Sequence, residues 1–263
     1  MQIAGARVLL TGATGGLGHA IARALAQRGG QLVLTGRRTA VLEPLAAELG
    51  ARALAVDLAD FSEVQRLLEE AGEVDILVAN AALPASGTLD TYTVEQIDRA
   101  LAVNVRAPVV LAHGLIGSMV ARGGGHLLFM SSLSGKIASA GAALYNASKY
   151  ALRGFASALR ADLHGSGVGV SAVFPGFIRD AGMFADAGVR LPPGVGTRSP
   201  EDVASAVIDA IENNRGEVDV APLPLRASAM LGSVAPELAA ALARRLGADG
   251  VSRRMEAGQR DKR

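Results

Sequence analysis

The chain has 263 residues, of which 50% are hydrophobic, only 3% aromatic and 19% charged, with a formal net charge of +1. That length suits one large domain with a substantial core, which must be built mainly from Ala, Val, Leu and Ile. There is no cysteine, which excludes disulfides, cysteine metal ligands and thiol chemistry and fits a reducing, cytoplasmic setting.

The longest stretch without Asp, Glu, Lys or Arg, residues 163–178, holds His164, Pro175 and several glycines. It falls short of the ~18 residues a membrane helix needs, so no integral membrane segment is expected. The first residues lead into a strand without a basic stretch, and no signal peptide is expected. The near-neutral total hides an asymmetry. From Arg244 onward seven basic residues (Arg244, Arg245, Arg253, Arg254, Arg260, Lys262, Arg263) outweigh three acidic ones (Asp249, Glu256, Asp261), leaving the tail at +4 and the rest at −3. A basic tail can meet nucleic acid. This one has mixed charge and no aromatic residue to stack a base, so it reads as a solvated end without a nucleic-acid partner.

Strand-like and helix-like segments alternate along the chain. Residues 6–10 are apolar but for Arg7 and run into glycines, after which Leu17, Ile21 and Leu25 recur at helical spacing. Residues 31–35 predict a second strand, and Thr39 opens a helix that closes at Gly50. Residues 53–56 are strand-like, and Asp60 with Glu63 has the capping-box spacing for the next helix. A fourth strand over 75–79 leads into a loop with Pro84 and Gly87, and Thr93 with Gln96 caps a long helix reaching about Arg122. Residues 126–130 form a fifth strand, 145–164 a helix and 168–174 a sixth strand. Ser199-Pro200-Glu201-Asp202 opens a further helix with proline in its first turn, and 217–221 is the last strand. No repeat or linker interrupts the pattern. It predicts an α/β fold with a doubly wound parallel sheet, as a single domain over 1–263.

The stretch Thr11-Gly12-Ala13-Thr14-Gly15-Gly16-Leu17-Gly18 joins the first strand to the first helix. Glycines there let the backbone turn and approach a pyrophosphate, whose charge then sits at the helix N-terminus. The spacing Gly12-x-x-x-Gly16-x-Gly18 differs from G-x-G-x-x-G, but its place in a strand–loop–helix unit points to nucleotide binding. The second strand ends in Thr35-Gly36-Arg37-Arg38. No acid stands there to take the adenosine ribose, and a guanidinium can hold a 2′-phosphate through two hydrogen bonds. The reading is NADP(H), ahead of NAD(H). Tyr145 and Lys149 are four apart and share a helix face. A phenol titrates near ~10 and an ammonium near ~10.4, so the ammonium beside it is expected to favour the tyrosinate and make Tyr145 a better acid/base.

These motifs occur in order with Asp57-Leu58, Asn80-Ala81-Ala82, Asn104, Ser131-Ser132 and Pro175-Gly176. Together, over roughly residues 6–221, they resemble the short-chain dehydrogenase/reductase family. The resemblance implies a Rossmann fold with a seven-stranded parallel sheet, hydride transfer between nicotinamide and a carbonyl or secondary alcohol, and a homodimer or homotetramer. It assigns Ser132 to hydrogen-bonding the substrate oxygen, with Ser131 as a strand-end neighbour, and Tyr145 to proton transfer. Lys149 is implied to lower the Tyr145 pKa and hold the nicotinamide ribose, and Asn104 to anchor a water relaying protons to Lys149. An Asn that bends its helix by bonding its own backbone is a second reading of Asn104, compatible with the first. Asp57 is implied to meet the adenine amino group, with Leu58 beside the ring; Asp57 also reads as a helix-leading carboxylate. Asn80, with Ala81 and Ala82, is implied to steady the sheet beside the cofactor. After Pro175-Gly176 the family's usual threonine is missing, since the run is Phe177-Ile178-Arg179-Asp180-Ala181-Gly182, which leaves a backbone N–H such as that of Ile178 for the carboxamide.

Residues 177–200 are the expected substrate loop, with Met183, Phe184, Leu191, Pro192 and Pro193 suggesting an apolar wall. Residues 223–263 form a C-terminal extension that covers the pocket, joins an oligomer interface or touches a membrane surface. His19, His113, His126 and His164 show no metal-ligand spacing, and no metal is expected. Two alternatives stand beside the reductase: an epimerase or dehydratase on the same fold, and a non-catalytic NADP(H)-sensing protein.

Overall fold

The computed structural model describes residues 1–188, 191, 195–235, 237, 241 and 258. Seven strands form one sheet in the order β3-β2-β1-β4-β5-β6-β7. They are β1 (Arg7–Thr11), β2 (Gln31–Gly36), β3 (Arg52–Ala55), β4 (Ile76–Ala79), β5 (Gly125–Met130), β6 (Val168–Pro175) and β7 (Glu217–Val220). Every pairing is parallel. The three strands β4, β5 and β6 are buried along their whole length, as continuous apolar runs require when both sheet faces are covered.

Helices α1 (Gly16–Gln27), α2 (Thr39–Leu49) and α8 (Pro200–Glu212) cover one face. Their inward residues Ile21, Leu25, Leu42, Leu45, Val203, Val207 and Ile211 pack on Leu10, Leu34, Val78 and Leu128. Helices α3 (Phe61–Ala71), α5 (Ala107–Ala121) and α6 (Ala143–Asp162) cover the other, with Leu67, Leu111, Leu115, Met119 and Leu152 against Leu9, Leu77, Leu127 and Phe129. The expected doubly wound α/β sheet is the observed fold.

Local chemistry sets the helix ends. Ser199 and Asp202 close a capping box at α8. Thr93 and Gln96 close another at α4 (Val94–Leu101). At α3 only half of the expected box forms. Asp60 accepts from the N–H of Ser62 and Glu63, but Glu63 reaches past it to accept from the N–H of Asp57 at 2.6 Å. The long helix expected from Thr93 is continuous to Ala121, but a π-turn over Ala102–Arg106 separates α4 from α5. This helix is long and apolar enough to cross a membrane by length and composition; here α5 lies on the sheet with Leu111, Ala112 and Met119 fully enclosed. The short α7 (Met183–Asp186) sits in the substrate loop, and α9 (Leu223–Val234) follows β7. Pro192, Pro193 and the charged tail residues fall outside the described residues, as does most of the extension beyond α9.

Candidate active site

All the motif residues gather at the carboxyl edge of the sheet. They flank the switch point where β1 lies between β2 and β4, where open α/β sheets bind ligands. The glycine loop fits a close-approaching ligand. Gly12 has φ +67°, and a Cβ on it would lie 2.7 Å from Ala81 Cα. A Cβ on Gly18 would overlap the Gly12 carbonyl and lie 2.8 Å from Ala13 Cα. Gly15 caps α1 with no side chain, so the first-turn N–H groups of Gly16 and Leu17 face outward, an anion cradle of the kind a pyrophosphate uses.

Asn80 ties this loop to β4. Its Nδ2 donates to the carbonyls of Thr11 at 3.0 Å and Gly12 at 3.2 Å, while Thr11 Oγ1 accepts from the N–H of Asn80 and Ala81. Ala82 continues that loop. Thr14 packs on Gly36, whose missing Cβ would sit 2.8 Å from Thr14 Cγ2. Arg38 donates to the Thr14 carbonyl and is thus partly engaged. Arg37 is exposed and has no ion-pair partner among the described residues. Asp57 is already paired: its Oδ2 accepts from Arg99 at 2.8 Å and its Oδ1 from the N–H of Ala59 at 3.1 Å. These partners outweigh burial and hold its carboxyl below the usual range. Leu58 is buried in the core beside it.

The candidate catalytic groups stand on β5, α6 and the π-turn. Ser132 ends β5 in extended backbone and caps the turn Leu133–Gly135, accepting from Ser134 N–H at 3.2 Å. Its hydroxyl donates to the Pro175 carbonyl at 3.3 Å and stands near enough to the Tyr145 phenol to act on its pKa. Ser131 turns the other way, donating to the Lys149 carbonyl at 2.9 Å, which places it as a strand-end tie.

Two local expectations are revised. Burial pushes the Tyr145 phenol up, and only the nearby Ser132 hydroxyl opposes it. Lys149 does not depress it here, because its Nζ donates to the Met130 carbonyl at 2.9 Å and lies 5.6 Å from the Tyr145 ring centroid. Burial in turn lowers the Lys149 pKa to about 8. Asn104 is fully buried in the π-turn, and its side chain does not bond its own helix. Oδ1 accepts from Leu83 N–H at 2.7 Å and Nδ2 donates to the Leu83 carbonyl at 3.0 Å, locking the loop after β4 to the helix.

Beyond β6, Gly176 N–H donates to Val220 and the chain makes a bridge between Ile178 and Arg198. That bridge uses the N–H groups of Arg179 and Arg198; the Ile178 N–H has no partner among the described residues. A Cβ on Gly16 would overlap Ala181 and one on Gly182 would lie 3.6 Å from Leu17 Cγ, while the rings of Phe177 and Phe184 meet with centroids 5.0 Å apart. The segment after β6 therefore rests on the glycine loop. Beside Tyr145, the apolar residues Ala85, Ala100 and Leu144 cluster with Tyr92 and Ile97. Among the described residues no group of three His, Asp or Glu converges as metal ligands.

Sequence reasoning missed Arg99 on Asp57, Asn146 beneath the Ser132 turn, and buried Lys136 paired with Asp219 at 2.6 Å and Glu217 at 2.8 Å. The Arg99 and Lys136 pairs span 42 and 83 residues, and the Asn146 contacts depend on how the turn after Ser132 folds back on α6; no motif encodes either.

The comparisons with known proteins agree with this geometry. The profile described as short chain dehydrogenase matches residues 6–189. Ketoacyl reductase HetN of Nostoc is 35% identical over 235 residues, covering 86% of this chain and 82% of that protein. The structure of a short-chain dehydrogenase from Sphingobium yanoikuyae in complex with NADPH superposes with a TM-score of 0.75 at 27% identity, covering 96% of this chain and 95% of that one. A 3-ketoacyl-(acyl-carrier-protein) reductase from Brucella melitensis complexed with NADH gives a TM-score of 0.75 at 26% identity, covering 83% and 98%. With its profile, its seven-stranded parallel sheet and its motifs in register, the chain belongs to the short-chain dehydrogenase family of nicotinamide-dependent oxidoreductases acting on CH–OH and C=O groups.

Proposed function

We propose that the protein is an NADP(H)-dependent reductase of a bulky, apolar carbonyl, with the corresponding secondary alcohol as the reverse substrate. The observation that carries this reading is the meeting of Ser132, held on the Pro175 carbonyl, with the α6 face that bears Tyr145 and buried Lys149, whose Nζ is held on the Met130 carbonyl at the same sheet edge. The bound nicotinamide supplies the hydride. Ser132 donates to the substrate oxygen and stabilises the charge that gathers there. Tyr145, kept protonated by burial, gives its proton to that oxygen during reduction and takes it back in the reverse direction. Lys149 holds the nicotinamide ribose and, through the main chain of the Asn104 turn, a water that returns the proton. The water falls to the main chain because the Asn104 side chain is committed to Leu83.

The glycine loop with Gly12, Gly15, Gly16 and Gly18 holds the pyrophosphate, Asp57 and Leu58 the adenine end, and Ile178 N–H the carboxamide. Arg37, exposed beside Gly36 with no acid on the strand end, supports NADP(H). Known relatives bind either cofactor, so the preference rests on this chain's own residues. Tyr92, Ile97 and Leu144 beside Tyr145, with Phe177 and Phe184 in the loop above, support an apolar substrate. Exposed Val94, Leu101 and Tyr150 on α4 and α6 support self-association as a dimer or tetramer. The absence of cysteine supports a cytoplasmic setting.

The test follows NADPH absorbance with a panel of aryl and alkyl ketones and 3-ketoacyl thioesters, wild type beside Tyr145→Phe. The expected result is turnover that falls at least about 100-fold in the variant while NADPH fluorescence shows unchanged binding. Equal turnover in both proteins refutes the assignment of Tyr145.

A further inference from the structure

The turn that follows Ser132 is fastened to the Tyr145 helix by a side chain with no part in the chemistry above. Asn146 is 6% exposed. Its Nδ2 donates to the carbonyls of Ser134 at 2.8 Å and Ile137 at 3.0 Å, and its Oδ1 accepts from Ser139 N–H at 3.4 Å. Both amide protons and the amide oxygen are thus spent on one turn. Being the next residue after Tyr145, it points about 100° round the helix from it. Tyr145 faces the site while Asn146 faces the turn.

Two further contacts seat the same segment on α6. Gly135 comes so close that a Cβ would lie 2.7 Å from the Lys149 carbonyl oxygen and 2.6 Å from Ser131 Oγ. Ser134 is shared between the two sides. Its N–H donates to Ser132 Oγ while its carbonyl accepts from Asn146. The path from Asn146 to Ser132 therefore runs through a single residue.

Resting on the reading that Ser132 and Tyr145 carry the chemistry, we infer that Asn146 is a positioning residue for proton transfer, holding Ser132 against Tyr145 by clamping the 134–139 turn to α6. Removing the amide leaves two half-buried carbonyls without donors, and the turn relieves them by lifting toward solvent. Ser132 moves with it. A carboxylate in its place sets an oxygen against those carbonyls and pushes the turn further.

The experiment compares wild type, Asn146→Ala and Asn146→Asp in kcat, KM, NADPH affinity by fluorescence titration, thermal midpoint and the pH profile of kcat/KM. Displacing a reacting group by about an ångström costs on the order of 100-fold, so kcat is expected to fall about 10- to 100-fold in Asn146→Ala and further in Asn146→Asp. NADPH affinity is expected to stay within about twofold, since that site lies across the sheet edge. The alkaline limb of the profile moves to higher pH, because the nearby Ser132 hydroxyl is what lowers the Tyr145 phenol against burial, and the lifted turn carries it away. A lowered melting point with wild-type kcat and an unmoved profile makes Asn146 purely structural and overturns the inference. If Asn146→Ala does not fold, Asn146→Ser, which keeps one short donor, is read by the same criteria. Tyr145→Phe runs in parallel. If it retains turnover, the reading of the site fails; if it is inactive while Asn146→Ala keeps its kcat and profile, only the role of Asn146 fails.

Discussion

His126 offers a stability test that does not depend on the substrate. It is 1% exposed in β5, and its Nε2 lies 2.9 Å from Ser171 Oγ, which donates onward to the Arg215 carbonyl. Since the single hydroxyl proton is spent on that carbonyl, the ring donates to Ser171 and stays neutral. Burial, reinforced by the Met1 ammonium and Arg160, lowers its pKa from 6.5 to about 3. The unfolded chain takes up this proton near 6.5 and the native one does not until about 3, so stability falls as pH drops through that window. Each pH unit costs about 1.4 kcal/mol, which makes about 2–3 kcal/mol between pH 6.5 and 4.5. His126→Gln keeps an N–H donor and cannot titrate. Urea unfolding of both proteins at pH 4.5, 5.5, 6.5 and 7.5 is expected to show the variant less stable at pH 7.5 and about 2–3 kcal/mol less sensitive to acid across the window. Parallel curves for the two proteins would refute a buried, neutral His126.

Three other outcomes test the site and its supports. Arg37→Asp is expected to weaken NADPH binding about 10- to 100-fold, the loss of a charge-assisted contact, while NADH binding holds or improves; fluorescence titration reads both. Gly18→Ala puts a methyl against the backbone of Gly12 and Ala13, which cannot step aside. It is expected to lower the melting point and abolish tight NADPH binding together, measured by thermal shift with and without cofactor. Lys136→Met orphans Asp219 and is expected to destabilise the fold by about 3 kcal/mol in urea, with Asp219→Asn added to it recovering much of the loss. If the double variant is no better than the single one, the orphaned carboxylate is not the source of the cost.

The order and type of nearly every regular element were legible because each is coded locally. Apolar runs gave the strands, Thr93 with Gln96 and Ser199 with Asp202 gave helix starts, and Gly50 at φ +60° gave a helix end. The candidate site residues were legible as types in order, and the fold brings them to one edge. What the sequence did not disclose was set by partners remote along the chain. The π-turn around Asn104 depends on the Leu83 backbone that its side chain grips. Glu63 abandons the capping box because Asp57 N–H lies nearer. The direction of the Tyr145 shift followed burial, which the Tyr145–Lys149 spacing cannot report, while Lys149 was drawn to a carbonyl at the end of β5.

The strand order also carries a sense of time. Read from the N-terminus, β2 pairs with β1, β3 with β2 and β4 with β1, and then β5, β6 and β7 each add to the strand made just before. In chain order, every strand after the first thus finds at least one partner already made when it emerges. The Pro175 carbonyl that anchors Ser132 arrives with β6, and α9 places Ser233 on the Lys136 carbonyl last of all.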